Sequence, residues 1–520
     1  MLVQDMLMQS AMRRPDAVAL VAGERRMTYQ ALEEAATRCA WALRAQGVQR
    51  GQRVIVLLES GIDAVTAIFG ILKVGAVFVV VHPGAKYDKL AGIVADAEPV
   101  ALITDSKHGR ALADGLAAPG SLQCIFWTDN QPLPLCAGLR SVCWSTLAVC
   151  PLSPLAAGNT ASDLAMLIYT SGSSGPPKGV MAAHSNMIAA VTSVNQYLQH
   201  TPTDVILNLL PLSFTYGLYQ LFLAAQVGAC VVLDQGFAFP ARTLALLATE
   251  RVTGLPGVPT LFALLLRYPA LLTQPLPALR YVTNAGAAIP VSHLLAIQAA
   301  WPQTRFYSMY GQTECMRISY LPPAEVARRP ASVGIAIPNT AVSIVDEQGR
   351  PVPRGTTGEL VVRGPHITQG YWRAAELTHA RFRPGPQPGE RLLYTGDLFR
   401  MDSDGYLYFV ARQDDIIKTR GEKVSPFEVE QVACRFPGVA EAAVVGIPDS
   451  LLGQTVLLVV VAQEGVELMP ALLRAHCARL LEAYMVPQVV RVVPALPRLD
   501  NGKLDKHRLQ CELASCTTTS

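Results

Sequence analysis

The sequence predicts an α/β protein: a large N-terminal domain with two parallel α/β sheet subdomains plus a β-rich subdomain, followed by a small α+β C-terminal domain. Three observations predict it. Helical and strand patterns alternate through roughly the first three hundred residues, which argues for parallel sheets covered by helices. Beyond about Val333 the pattern becomes short β-branched runs separated by Gly, Pro and Asp turns. After Arg412 a charged segment opens a region of about a hundred residues that mixes both element types, near the common domain size. At 520 residues the chain exceeds the usual size of one hydrophobic core, so several domains or subdomains are expected.

Met1 to Arg14 has apolar residues at helical spacing broken by Gln4, Asp5 and Gln9, which predicts a surface helix and not a signal peptide. A helix over Tyr29 to Gln46, a strand over Arg53 to Leu58, a helix over Gly61 to Leu72 and a strand over Val77 to Val81 follow. The alternation continues through Asp204 to Leu233, Thr243 to Leu266 and Leu279 to Tyr307. The β-rich part reads as strands at Ala341 to Val345, Gly358 to Arg363, Leu392 to Asp397 and Tyr406 to Phe409. The last region reads as a helix over Pro426 to Phe436, strands at Glu441 to Gly446 and Leu457 to Ala462, a helix over Met469 to Leu481 and a short strand at Val489 to Val493. Thr517 to Ser520 is expected to fray.

Half of the residues are apolar and only 16% are charged, which suits a well-buried enzyme and excludes a disordered or fibrous chain. Basic residues exceed acidic ones by three and form no long run, so no nucleic acid partner is expected. The eleven cysteines form no zinc-type spacing, and Cys39, Cys230 and Cys315 read as buried thiols of a cytoplasmic protein. The most apolar runs are too short to cross a bilayer, so no stable membrane insertion is expected.

The segment with the clearest chemistry is Tyr169-Thr-Ser-Gly-Ser-Ser-Gly-Pro-Pro-Lys-Gly179. Its glycines free the backbone, its hydroxyls donate to oxyanions and Lys178 supplies a cation, so it reads as a phosphate cradle. It does not match the Walker A spacing.

In the same chain stand Leu210-Pro-Leu-Ser-Phe-Thr-Tyr-Gly217, Asn284-Ala-Gly-Ala-Ala288, Tyr310-Gly-Gln-Thr-Glu314, Gly358-Glu-Leu360, Gly364-Pro365 with Gly370-Tyr-Trp372, Tyr394-Thr-Gly-Asp397, Arg412-Gln-Asp-Asp415, Lys418-Thr-Arg-Gly421 and Asn501-Gly-Lys503. Over nearly its whole length the sequence resembles the adenylate-forming superfamily of acyl-CoA synthetases, adenylation domains and luciferases. The resemblance implies ATP-dependent activation of a small carboxylic acid as its acyl-adenylate, then transfer to the thiol of CoA or of a phosphopantetheinyl carrier protein supplied in trans. It also implies a division into residues 1–411 and a mobile lid of residues 412–520.

By position in these motifs, Thr170, Ser171, Gly172, Ser173, Ser174, Gly175 and Lys178 would hold phosphates, while Gly286 and Ala287 would approach adenine. Tyr310, Gly311 and Gln312 would form the adenine segment, Thr313 would stand near the α-phosphate and Glu314 would hold Mg2+. One carboxylate plus phosphate oxygens is an ordinary Mg2+ ligand set. Asp397 and Arg412 would bind the ribose, although alone each reads as part of a surface salt bridge. Lys503 would bind both carboxylate and α-phosphate, whereas Lys506 is assigned to solvation. Asp414 matches the hinge, about which Gly421 and Lys423 would replace Lys503 and line the thiol tunnel.

Phe214, Thr215, Tyr216, Tyr219, Ser308 and Met309 are the expected acyl pocket, mainly apolar and without a carboxylate. In members that activate amino acids an Asp follows the Phe of this segment; here that position is Thr215, which disfavours an α-ammonium substrate. A fatty, aryl or cyclic acid, or a neutral imino acid such as proline, suits the pocket. Two alternatives remain at this level: a stand-alone amino- or imino-acid enzyme loading a carrier protein, and a catalytically dead nucleotide-binding protein. A light-emitting, oxygen-using member is a further possibility, for which no residue here calls.

Overall fold

A computed structural model describes residues 1–113, 120–134, 138–155, 158–170, 178–234, 239–268, 272–419, 422–449, 452–499 and 504–514. Four sheets organise it. The first has seven strands in the spatial order 140–143, 124–127, 101–104, 53–57, 77–80, 164–170 and 178–183, all parallel until the last, antiparallel pair. The second has nine, with a parallel centre formed by 305–310, 281–284, 254–257, 205–208, 230–233 and 18–22.

The predicted alternation fixes these layers. In the strand Arg53–Leu57, Val54 and Val56 point to one core and Ile55 and Leu57 to another. Both faces are buried, as continuous apolar runs require. The two sheets share a single core instead of closing two, because the helices Ile62–Val74 and Thr215–Val227 are apolar nearly all round and are packed between them. Phe222 joins the two, edge-on to Phe69 at 5.9 Å and 6.2 Å from Phe78. Gly228, at φ 85, ends the second helix in the left-handed conformation that a side chain resists. The N-terminal helix Val3–Arg13 lies at the surface yet buries Val3, Met6 and Leu7 against this layer.

The β-rich part is an antiparallel sheet of 341–345, 357–363, 391–401, 382–384 and 407–412. Its last strand, Leu407–Arg412, runs three residues beyond the predicted end, since a charged residue at an exposed strand end does not register as strand in the sequence. The C-terminal sheet comprises 422–424, 417–419, 453–462, 439–449 and 489–492, with a separate apolar core on each face. The helix Pro426–Ala433 is shorter than predicted, and Ser425 caps it by accepting from the Glu428 amide. Cys39 and Cys315 are buried thiols as expected, but Cys230 is only half-buried at the start of its strand. The expected tail at Thr517 to Ser520 lies outside the described residues.

Candidate functional site

A cavity of about 1080 Å3 opens where the strand ends of the second sheet, the β-rich sheet and the C-terminal region meet. Thr170, Lys178, Gly286, Ala287, Tyr310, Gly311, Gln312, Thr313, Glu314, Asp397, Arg412 and Asp414 all line it. Residues far apart in sequence thus share one chamber.

Asp397 is the hub of one wall. The antiparallel pairing of Arg391–Met401 with Leu407–Arg412 sets Asp397 opposite Arg412, whose Nε donates to Oδ1 at 3.1 Å. The Tyr310 hydroxyl donates to Oδ2 at 2.5 Å, and Gln312 Nε2 donates to the same oxygen at 2.9 Å and to the Thr395 carbonyl at 2.9 Å. Only 4% of Asp397 is exposed. Burial lifts its carboxyl above the usual range, while Arg412, Tyr310 and Gln312 pull it back. Burial and Asp397 together hold the Tyr310 hydroxyl well above its ordinary value, so Tyr310 stays a donor. Gly311 has to be glycine: a Cβ would stand 2.3 Å from the Met316 carbonyl oxygen and 2.8 Å from the Arg317 Cα.

Glu314 occupies the next position along the chamber. Its Oε1 accepts from the Tyr371 hydroxyl at 2.6 Å, and its carbonyl accepts from the Thr368 amide at 2.9 Å. Burial, then Glu314, raises the Tyr371 hydroxyl, which stays protonated. Oε2 makes no hydrogen bond among the described residues, so one hard oxygen of a carboxylate oriented by Tyr371 would be available to a divalent cation. Among the described residues no group of three or more His, Cys, Asp or Glu side chains is placed to hold a metal, so such an ion would need ligands from the nucleotide.

The strands Leu164–Thr170 and Lys178–Ala183 pair antiparallel with Thr170 opposite Lys178, which brings both ends of the Gly/Ser segment to the cavity on one rung. Ser171, Gly172, Ser173, Ser174 and Gly175 lie outside the described residues. So does Lys503; Arg498 and Leu504 on either side of it form an isolated antiparallel bridge, and Arg498, Leu499 and Leu504 line the cavity. Arg498 Nη1 donates to Thr260 Oγ1 at 2.6 Å and its Nη2 pairs with Glu441. The C-terminal region is thereby pinned to the helix Pro259–Leu266. Lys506 is not merely solvated: it pairs with Glu430 at 2.8 Å, because the helix Lys506–Ala514 lies against this edge.

Asp414 sits in a one-turn helix, Gln413–Asp415, directly after Arg412. Gly421 and the Lys423 side chain lie outside the described residues; the strand Glu422–Val424 pairs with Ile417–Thr419.

At the other end, Phe214, Thr215, Ser308 and Met309 line the chamber. Tyr216 and Tyr219 are buried one layer behind it, because successive positions of the helix Thr215–Val227 point in different directions. The Tyr216 hydroxyl turns to Thr283, 2.5 Å from Oγ1, and Tyr219 packs edge-on to Phe222. Tyr371, Thr260, Arg498 and Arg317 received no role from sequence; Tyr371 stood in a quoted motif, and no local signal marked the others.

A family profile described as AMP-binding enzyme matches residues 7–372, and one described as AMP-binding enzyme C-terminal domain matches residues 428–503. The chain belongs to the AMP-binding enzyme family. It is 32% identical over 98% of its length to tyrocidine synthase 3 of Brevibacillus parabrevis, and 31% identical over 96% to tyrocidine synthase 2. It spans only 8% and 13% of the lengths of those two proteins. It is 32% identical, over 93% of its length and 91% of the relative's, to an L-proline–[L-prolyl-carrier protein] ligase of Streptomyces coelicolor. Among solved structures it resembles ATP-bound MatB from Rhodopseudomonas palustris, with TM-score 0.88, 27% identity and coverage of 99% and 100%. It also resembles the anthranilate CoA ligase AuaEII bound to anthranoyl-AMP, with TM-score 0.89, 27% identity and coverage of 100% and 98%. The AMP-binding enzyme thus shares the predicted fold class across both of its matched regions.

Proposed function

We propose that this AMP-binding enzyme activates a carboxylic acid with ATP and transfers the acyl group to a thiol. The acid's carboxylate oxygen attacks the α-phosphorus and pyrophosphate leaves; the thiol sulfur then attacks the acyl carbon, forming a thioester as AMP leaves. The observation that carries this reading is the single chamber in which the Asp397–Tyr310–Gln312–Arg412 network faces Glu314 and the Thr170–Lys178 rung. Such a preorganised polar wall beside a small acyl end suits a nucleotide with an acid at its α-phosphate.

In this reading Asp397 and Arg412 bind the ribose, Lys178 and the segment before it hold the leaving pyrophosphate, and Glu314 holds Mg2+, which when bound neutralises phosphate charge. Lys503 bridges the reacting anions. Residues 412–520 turn about Asp414 to present Gly421 and Lys423 for the second half-reaction. The acceptor is CoA or a carrier-protein phosphopantetheine, and the protein is cytoplasmic. No helix among the described residues is long and apolar enough to cross a membrane. The relation to a prolyl-carrier-protein ligase supports a carrier acceptor. Acid-dependent exchange of pyrophosphate into ATP tests the first half-reaction: exchange with one acid of a panel of fatty, aryl, dicarboxylic and amino acids is expected, and exchange with none overturns the reading.

A further inference from the structure

Arg317 is 3% exposed, and its Nε is buried without a hydrogen-bond partner. Among the described residues its guanidinium forms neither an ion pair nor a hydrogen bond; its contact is the face of Tyr216, with the guanidinium carbon 5.0 Å from the ring centroid. A ring face attracts a cation but supplies no acceptor to its N–H groups. A buried guanidinium with five donors and no anion is costly, and such groups are found paired.

Its position gives the missing anion an address. Tyr216 meets Phe214 edge-on, with ring centroids 6.2 Å apart. Tyr197 feels the Arg317 charge and places its hydroxyl 2.9 Å from Met309 Sδ. Phe214 and Met309 both line the cavity, so the cation stands one side-chain layer behind the acyl end. Met309, unbranched and with three rotatable bonds, is a wall that can yield to a ligand. The carboxylates of the nucleotide end are engaged elsewhere: Glu314 Oε1 accepts from Tyr371, and Asp397 accepts from Arg412, Tyr310 and Gln312.

We propose that Arg317 is a specificity-determining residue and that the acid activated here is a dicarboxylic acid, one carboxylate reacting with ATP and the other pairing with the Arg317 guanidinium. The inference rests on the acid-activating reading above and narrows its substrate. Thr215, where an acidic residue would receive an ammonium, selects diacids without an α-amino group. A planar guanidinium accepts a carboxylate through two parallel hydrogen bonds, which gives geometric as well as charge selection.

Pyrophosphate exchange on the full chain tests it with matched acids of equal carbon number: butanoate against succinate, pentanoate against glutarate, hexanoate against adipate, 2-methylbenzoate against phthalate. At least one diacid should exceed its monoacid in kcat/KM by about tenfold or more, and Arg317→Leu should collapse that ratio by about a hundredfold, mainly through the KM of the diacid. Arg317→Lys should keep part of the preference, and melting curves of the variants separate a folding defect from lost selection. If Arg317→Leu does not fold, the ratio is read in Arg317→Lys and Arg317→Gln. Preference for the monoacid in every pair, or equal loss for both acids in the folded variants, overturns this inference alone. Exchange with no acid of either kind overturns acid activation and this inference with it.

Discussion

At the Asp397 end of the cavity the polar side chains hold one another, whereas at the Phe214 end the buried Arg317 is held by no carboxylate among the described residues. The contrast is what the proposed function asks of each end. A ligand common to every turnover is best met by groups already fixed, so that binding requires little reorganisation. A group that selects one acid among many has to leave its strongest interaction unmade until that acid arrives.

The largest break in this comparison is expected from Asp397→Ala, which strips three donors of their acceptor at once. Exchange should fall by about a hundredfold or more for every acid tested, with a raised KM for ATP; an effect confined to one acid would place Asp397 at the wrong end. Next comes Lys503→Ala. It should slow adenylate formation by about a hundredfold while sparing thioester formation from pre-made adenylate, measured by rapid quench. Equal loss of both half-reactions would remove its assigned role.

Tyr371→Phe tests how firmly the Glu314 position is set. Loss of the 2.6 Å hydrogen bond should raise the half-saturating Mg2+ concentration about tenfold at little cost to folding; an unchanged Mg2+ titration would show that Glu314 needs no support. The smallest effect on activity at neutral pH belongs to the scaffold. Burial pushes His184, His200 and His366 down from 6.5 to about 4. Between those values the unfolded chain takes up protons that the folded chain refuses, so stability is whole above pH 6.5 and is lost as pH falls toward 4. At the acid limit the His184 shift alone removes on the order of 3 kcal/mol. Melting temperature should drop steadily from pH 6.5 to 4.5, with a shallower slope in His184→Gln; a flat profile would contradict it.

Much of this architecture is legible in the sequence because buried parallel strands leave continuous β-branched runs, as at Val77–Val80, and because the strands 53–57 and 77–80 are separated by a single uninterrupted helix. Asp397, Arg412 and Glu314 are legible as members of motifs, but their mutual distances are not. Arg412 lies beyond the predicted strand Tyr406 to Phe409 and alone reads as part of a surface salt bridge, until the ladder places it opposite Asp397. Tyr216 and Tyr219 look like pocket residues beside Phe214, yet helical geometry turns them into the layer behind it. Arg317 escapes altogether: in a linear string an arginine defaults to solvent, and it is the fold that buries it, against the face of Tyr216.

The most direct measurement is mass analysis of what the enzyme makes from ATP and a panel of acids when no thiol is present. The account predicts an enzyme-bound acyl-adenylate, with pyrophosphate released, for a restricted set of acids rich in dicarboxylates. Formation of ADP, or of no nucleotide product with any acid, would contradict it.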